Sequence, residues 1–296
     1  MIVDCHSHVM WYPDHVSPEV MQDAAQAWQA NMGLAAETFD RSMPPRDLFD
    51  ARPERHWAAS AEADKVVVFG LQAPATGFDV PNEVIADYVR QHPDKLEGWA
   101  SIDPNRPDAV EQLEHCVQSL GLKGLKLAPA YQCFDPMDTS HYPLYRKCQE
   151  LGLPILWHQG TTFPRKARIR WSLPLQLEDI ALAFPDLKMI LAHLGHPWEA
   201  DTIVLIRKAP NLFADISAIH FRAWRYWQSL VTAMEYGVGH KILFGTDFPF
   251  DTVAGTIEGL RRINDMVEGT RLPRVPKEMQ DMIVFENWKR FFTEWA

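Results

Sequence analysis

Eight short apolar runs, spread through 296 residues with helical stretches between them, constrain this chain more than any other feature. They read "MIVDCHSH", "DKVVVFGLQ", "LEGWASIDP", "GLKGLKLAP", "LPILWHQGT", "LKMILAHLG", "NLFADIS" and "HKILFGTDF". Each is rich in Val, Ile, Leu or Phe and bounded by Gly, Pro or Asp, the signature of a buried strand. The segments between carry helical spacing. "VPNEVIADYVRQHP" sets Val84, Ile85, Tyr88 and Val89 on one stripe and stops at Pro93. "DAVEQLEHCVQSLG" repeats the pattern with Val110, Leu113, Val117 and Leu120 and ends at Gly121. Alternating strand and helix implies parallel strands. Eight units predict an α/β fold closed into a (β/α)8 TIM barrel; a doubly wound sheet of six or seven strands is the alternative.

With no internal repeat, low-complexity run or linker, residues 1–296 read as a single domain. Two stretches exceed what a minimal barrel needs. Residues 10–60 form an inserted cap segment after the first strand, expected to cover the active site. "TTFPRKARIRWSLP" is a second insertion, after the fifth strand.

The formal net charge of -10 argues against a nucleic-acid or membrane-surface partner, but not against a small anionic substrate. Cys5, Cys116, Cys133 and Cys148 show no C-x-x-C spacing and read as reduced thiols. The first residues lack a basic segment followed by an apolar one, and no apolar run approaches the ~18 residues of a membrane helix. A cytoplasmic protein is expected.

The chemistry is carried by the strand ends. "MIVDCHSHVM" places Asp4, His6 and His8 at alternate positions, hence on one face of an ideal strand. His158 closes "ILWHQG", His193 lies in "ILAHLGH" and Asp247 in "LFGTDFP". Taken singly, an interior histidine is ordinarily a hydrogen-bonded core residue, and Asp247 suits a helix cap. Taken together, four strands ending in metal-competent groups at the catalytic rim of a barrel predict one shared site.

These residues, with "GLKGLKLAPAYQ", "HLGHPW" and "ILFGTDFPF", resemble the amidohydrolase superfamily. Within it they are similar to the group that contains aminocarboxymuconate semialdehyde decarboxylase and γ-resorcylate decarboxylase. The resemblance runs from residue 2 to 249 and is echoed by "ENWKRFF", where Trp288 and Lys289 depart from the family's Asn-Ala-x-Arg run. It implies one divalent ion, zinc in the first place and manganese in the second, held by His6, His8, His158 and Asp247. His193 would be the acid-base, with Asp247 sharing the proton work. Asp4 is either a carboxylate that orients His6 or a plain strand-end residue. Lys126 lies where two-metal relatives carry a carboxylated lysine; here it reads, with Lys123, as a rim charge meeting a substrate carboxylate. His196 either contacts substrate or caps the helix at Pro197.

Arg165, Lys166, Arg168 and Arg170 beside Trp171, and Trp11, Tyr12, His15, Arg52, His56 and Trp57 in the first insertion, suggest aromatic walls with cations. His220, Arg222, Trp224 and Arg225 add to them after the seventh strand. Trp11, Lys126, Arg168, Arg170 and His196 are the substrate-binding candidates. The expected activity is metal-dependent hydrolysis of a small carboxylated cyclic or aromatic-derived metabolite, a lactone or amide; "HQGTT" leans that way. Non-oxidative decarboxylation of an aromatic or muconate-type acid is the alternative, and a ligand-binding barrel without turnover is a third reading. The resemblance also implies a homo-oligomer, a dimer or tetramer.

Overall fold

The structure is a computed structural model that describes residues 1–31 and 49–296. Eight strands form one sheet in sequential order: β1 Val3–His8, β2 Lys65–Phe69, β3 Leu96–Ser101, β4 Leu125–Leu127, β5 Ile155–Trp157, β6 Met189–Leu191, β7 Leu212–Asp215 and β8 Ile242–Leu243. Every neighbouring pair is parallel. The ring closes between its ends: Cys5 N donates to Phe244 O (3.0 Å), His8 N donates to Phe248 O (2.9 Å), and Ser7 bridges Phe248 in parallel. This is the (β/α)8 TIM barrel expected, not the doubly wound sheet.

The strands are shorter than the apolar runs that announced them. In "LKMILAHLG" pairing ends at Leu191, and Ala192–Gly195 is a 3-10 turn. In "HKILFGTDF" it ends at Leu243. At these ends the backbone leaves the ladder to form the turns that aim side chains across the barrel mouth.

Two apolar cores follow from the pleat, since alternate residues point inward and outward. Outward residues such as Val66, Val68 and Leu127 pack on the surrounding helices. Inward residues, including Val67, Trp99, Leu156, Ile190 and Phe213, fill the barrel. The same inner cluster takes in Trp288, Phe291 and Phe292 from the C-terminal segment. Lys188 Nζ holds that segment by donating to Phe291 O at 2.7 Å. Each such fully buried side chain contributes roughly 1.5–3 kcal/mol.

One expectation fails in β1. Its register against β2 runs Asp4 to Val66, then Ser7 to Val68, so β1 carries one extra residue. A bulge of this kind moves everything before it out of phase with everything after it. Cys5 joins the inner cluster while His6 packs on Phe69 of the same cluster. Asp4 is therefore not on the face of His6 and His8.

Of the first insertion, Met10–Trp11 pairs antiparallel with Asp50–Ala51, and helices span Pro18–Asn31 and Pro53–Ala59. The expected helix over "MQDAAQAWQANMG" agrees up to Asn31; its last two residues, and the part of "MPPRDLFDARPERHWAASAEA" before Phe49, lie outside the described residues.

Candidate active site

His6 and His8 leave β1 beyond the bulge and meet Asp247 from the turn after β8. Asp247 Oδ1 lies 3.1 Å from His6 Nε2 and 3.2 Å from His8 Nε2, and the two imidazole nitrogens are 3.3 Å apart. Asp247 reaches this position through a left-handed backbone, φ 59°, held by its own N–H donating to His6 O at 2.7 Å. His193 is left-handed too, φ 58°, and its N–H donates to Asp215 Oδ1 at 2.9 Å. Two strained non-glycine residues facing one spot, each clamped by a hydrogen bond, are what a preorganised site requires.

Asp215, the last residue of β7, organises the cluster and was missed as a site residue in sequence. It accepts from His6 Nδ1 (2.9 Å), His193 N, Ser217 N (3.0 Å) and Ser217 Oγ (2.5 Å). Burial alone would raise its pKa, but His6 and His193 more than offset this, and it is held below the usual carboxylate range. An ionised carboxylate only accepts, so His6 donates Nδ1–H to Asp215 and turns its Nε2 toward the site. His193 likewise donates Nδ1–H to Ser217 O (3.0 Å), leaving Nε2 free. The available signal was the pattern already used elsewhere: a carboxylate closing the apolar run "NLFAD".

The other ionisable groups are tuned mostly by burial. His8 is lowered to about 3 and His193 to about 4, so both rest as neutral imidazoles. His158 is pushed well below its ordinary value by burial, then by His193. Burial also acts to lower His6, but Asp215 and Asp247 raise it on balance. Lys126 is lowered to about 8 by burial.

The donor chemistry fits a cation. His6 Nε2 and His8 Nε2 converge on one Asp247 oxygen at 3.1 and 3.2 Å. Donor atoms of His6, His193 and Asp247 all lie within 4.8 Å of one another, a grouping that could hold a metal ion. His8 adjoins it through His6 and Asp247. His158 stands a little apart: its ring is 5.1 Å from that of His193, and Nε2–H donates to Thr161 O at 3.2 Å, so Nδ1 is its free ligand atom. Gly160 lets this loop reach the β6 turn. Its φ is 98°, and a Cβ there would collide with the His196 carbonyl, to which Thr161 N donates at 2.7 Å.

Above this floor lies a pocket open to solvent, with about 400 Å³ of empty space counted to its mouth. His8, Lys126, His158, His193 and Asp247 form its polar side; Met10, Phe49, Leu71, Phe78, Tyr131, Phe163 and Phe250 form its walls. Four of the expected site features depart from expectation. Lys126 is no rim charge: it is 1 % exposed, and its Nζ lies 3.2 Å from His6 Nε2. Arg168 and Arg170 are exposed and off the cavity, both stacked at 5.1 Å on the Trp171 ring, which gives each cation a face to cover without entering the barrel. Trp11 points away because Met10, its neighbour in a two-residue strand, points in; its Nε1 donates to Asp14 at 2.6 Å. His196 pairs with Glu199 (2.6 Å), the helix-end reading of that residue.

Other expectations resolve structurally. Asp4 accepts from His6 N (3.1 Å), Thr246 N (3.0 Å) and Thr246 Oγ1 (2.7 Å), fastening β1 to the β8 turn without touching an imidazole. His56 is buried between Ser7 Oγ (2.8 Å) and Tyr88 OH (2.9 Å), not in the cavity wall.

Known proteins align with this chain over nearly its full length. The family model described as Amidohydrolase matches residues 3–292. The γ-resorcylate decarboxylase of Rhizobium radiobacter is 24 % identical over 288 residues, covering 80 % of this chain and 86 % of that protein. Among solved structures, a dihydroxybenzoic acid decarboxylase from Polaromonas sp. JS666, with bound manganese and the inhibitor 2-nitroresorcinol, superposes with a TM-score of 0.65. It is 19 % identical, covering 100 % of this chain and 97 % of that one. A probable 2-pyrone-4,6-dicarboxylic acid hydrolase from Acinetobacter baumannii with citric acid bound has a TM-score of 0.65 at 16 % identity, covering 99 % of each chain. At these identities the solved structures establish the fold.

Proposed function

Because the chain belongs to the amidohydrolase family, we propose that it is a metal-dependent carboxy-lyase that removes CO₂ from a small aromatic acid. The observation that carries this reading is the cavity: a ring-sized space walled by Phe49, Phe78, Phe163 and Phe250 over a floor of imidazoles and one carboxylate. The curated relative is named for the same kind of reaction, which favours decarboxylation over the hydrolysis expected first from sequence.

His6, His8, His158 and Asp247 would hold the divalent ion, and the manganese in one neighbour favours that metal over zinc. When bound, the ion supplies Lewis-acid stabilisation of negative charge on substrate oxygens. The chain's own groups do the rest. The aromatic walls orient the ring and exclude water. His193, neutral and fixed by Ser217, relays a proton: Nε2 takes it from water and passes it to the ring carbon that bears the carboxylate. A C–H bond forms as the C–C bond to CO₂ breaks, and that bond's electron pair restores the ring.

The reading extends to a single domain over residues 1–296, with the insertion at 10–60 roofing the site, and to a cytoplasmic homo-oligomer of two or four chains. No helix among the described residues is long and apolar enough to cross a membrane.

The test is to offer manganese-loaded protein a panel of hydroxybenzoic acids and a panel of lactones and amides in ¹⁸O-water. Release of CO₂ from a hydroxybenzoate, with no ¹⁸O in the organic product, is expected. Ring opening with one ¹⁸O incorporated per turnover would transfer the assignment to a hydrolase.

A further inference from the structure

The helical turn after β4 is fixed more firmly than its length explains. Pro129–Gln132 has four residues, far too few to hold a helix by itself. The loops after β2 and β3 pin it instead. Gln132 is fully buried; its Oε1 accepts from Ala128 N at 2.8 Å, and its Nε2 donates to Gln72 O and Ile102 O at 2.9 and 2.7 Å. Asn105 Nδ2 donates to Gln132 O at 2.7 Å, and Thr76 Oγ1 donates to Tyr131 O at 2.8 Å. The side chain that this clamp positions is Tyr131. It lines the pocket and is 7 % exposed. Its ring stands edge to face with His158, centroids 4.9 Å apart, and with Phe78 and Phe163 at 5.7 and 6.1 Å. Three rings thus fix its plane. A phenol keeps its proton at neutral pH, and burial, with the Asp247 charge second, pushes the pKa of this one higher still. Tyr131 therefore brings a fixed hydrogen-bond donor to the wall beside a metal-competent imidazole.

We infer that Tyr131 is a substrate-binding residue whose hydroxyl donates a hydrogen bond to a carboxylate oxygen of the acid at the floor. This deepens the proposed function and rests on its reading of the pocket as the substrate site. The reason lies in the lone pairs that an acid brings. An ionised carboxylate has two oxygens and about four acceptor sites. Some are satisfied at the metal-competent floor. One turned toward Phe78 and Phe163 would leave water for phenyl edges, at the full cost of an unpaired acceptor. The Tyr131 hydroxyl meets it with a charge-assisted bond. Because the clamp has already ordered the turn, little conformational freedom is lost when that bond forms. Loss of the hydroxyl therefore weakens the acid and leaves the ring packing in place.

Binding, rather than turnover, separates this inference from the decarboxylase reading. The manganese-loaded full chain would be titrated calorimetrically with benzoate. Tyr131→Phe keeps the ring and removes the donor. It is expected to weaken benzoate ~10-fold or more, with manganese affinity and melting temperature unchanged. Tyr131→4-aminophenylalanine, which restores a donor at the same place, is expected to bring affinity back to within about 3-fold of the unaltered chain. Unchanged benzoate affinity in Tyr131→Phe overturns the inference. So does a fall that 4-aminophenylalanine fails to recover, because shape rather than the donor was then lost, and so does an unaltered chain that binds no benzoate. If Tyr131→Phe does not fold, the 4-aminophenylalanine variant is compared with Tyr131→4-fluorophenylalanine, similar in shape but without a donor, and equal affinities overturn the inference. A chain whose benzoate binding depends on the Tyr131 hydroxyl yet releases no CO₂ keeps the inference and loses the proposed reaction.

Discussion

The two ends of this barrel are made by the same eight strands and share almost nothing else. At one end Trp288, Phe291 and Phe292 close the interior with apolar rings in ordinary helical and extended backbone. At the other, His193 and Asp247 sit in left-handed backbone, and buried histidines and carboxylates press together at hydrogen-bond distance. Desolvation is favourable at the first end and costly at the second. The apolar end and the inner layers between stabilise the barrel enough to hold the polar end in an arrangement it would not adopt alone. Stability and chemistry are thus separated along the barrel axis.

That separation is breakable by substitution. The largest effect is expected from Asp247→Asn, which keeps the shape and tolerates left-handed backbone but removes the charge: turnover should fall roughly 10³–10⁴-fold, with little change in melting temperature. Paired variants sharpen the same end. Elemental analysis should find metal lost in His158→Ala and retained in His193→Gln, the latter slowed ~10²-fold or more. The reverse pattern would exchange the roles of the two histidines. Phe292→Ala probes the opposite end. It should cost about 3–5 kcal/mol in denaturant unfolding while the folded fraction keeps its kcat, and a lost kcat would mean the two ends are coupled. Asp215→Asn should weaken metal affinity about 10–100-fold, since it disturbs the orientation of His6 and leaves the ligand in place. The smallest effect is assigned to Arg168→Ser with Arg170→Ser. Both side chains are exposed on Trp171, so KM should not move measurably; a rise would bring that loop back to the substrate.

The barrel was legible because strand runs such as "DKVVVFG" and "LKMILAHLG" carry their own boundaries, and His6, His8, His158, His193 and Asp247 announce themselves as polar groups closing apolar runs. Asp215 obeyed the same rule, closing the apolar run "NLFAD", and was not among the candidates. The bulge in β1 was invisible because an extra residue is defined only against its partner strand. The cationic loop misled for a related reason. Spacing in sequence counted four cations near the mouth, but whether a guanidinium enters a pocket depends on what lies beside it, and here an indole face did.

The seam that closes the ring has a consequence for the life of the chain before it is a finished protein. Asp4 grips Thr246 across 242 positions, Asp247 N–H is tied to His6 O, and the metal-competent carboxylate and imidazoles meet at that same join. Until the first and last strands have found each other, His8 and Asp247 stand 239 positions apart along the polypeptide, with His158 and His193 between them. A chain in which that join has not formed does not bring His6, His8 and Asp247 to one point.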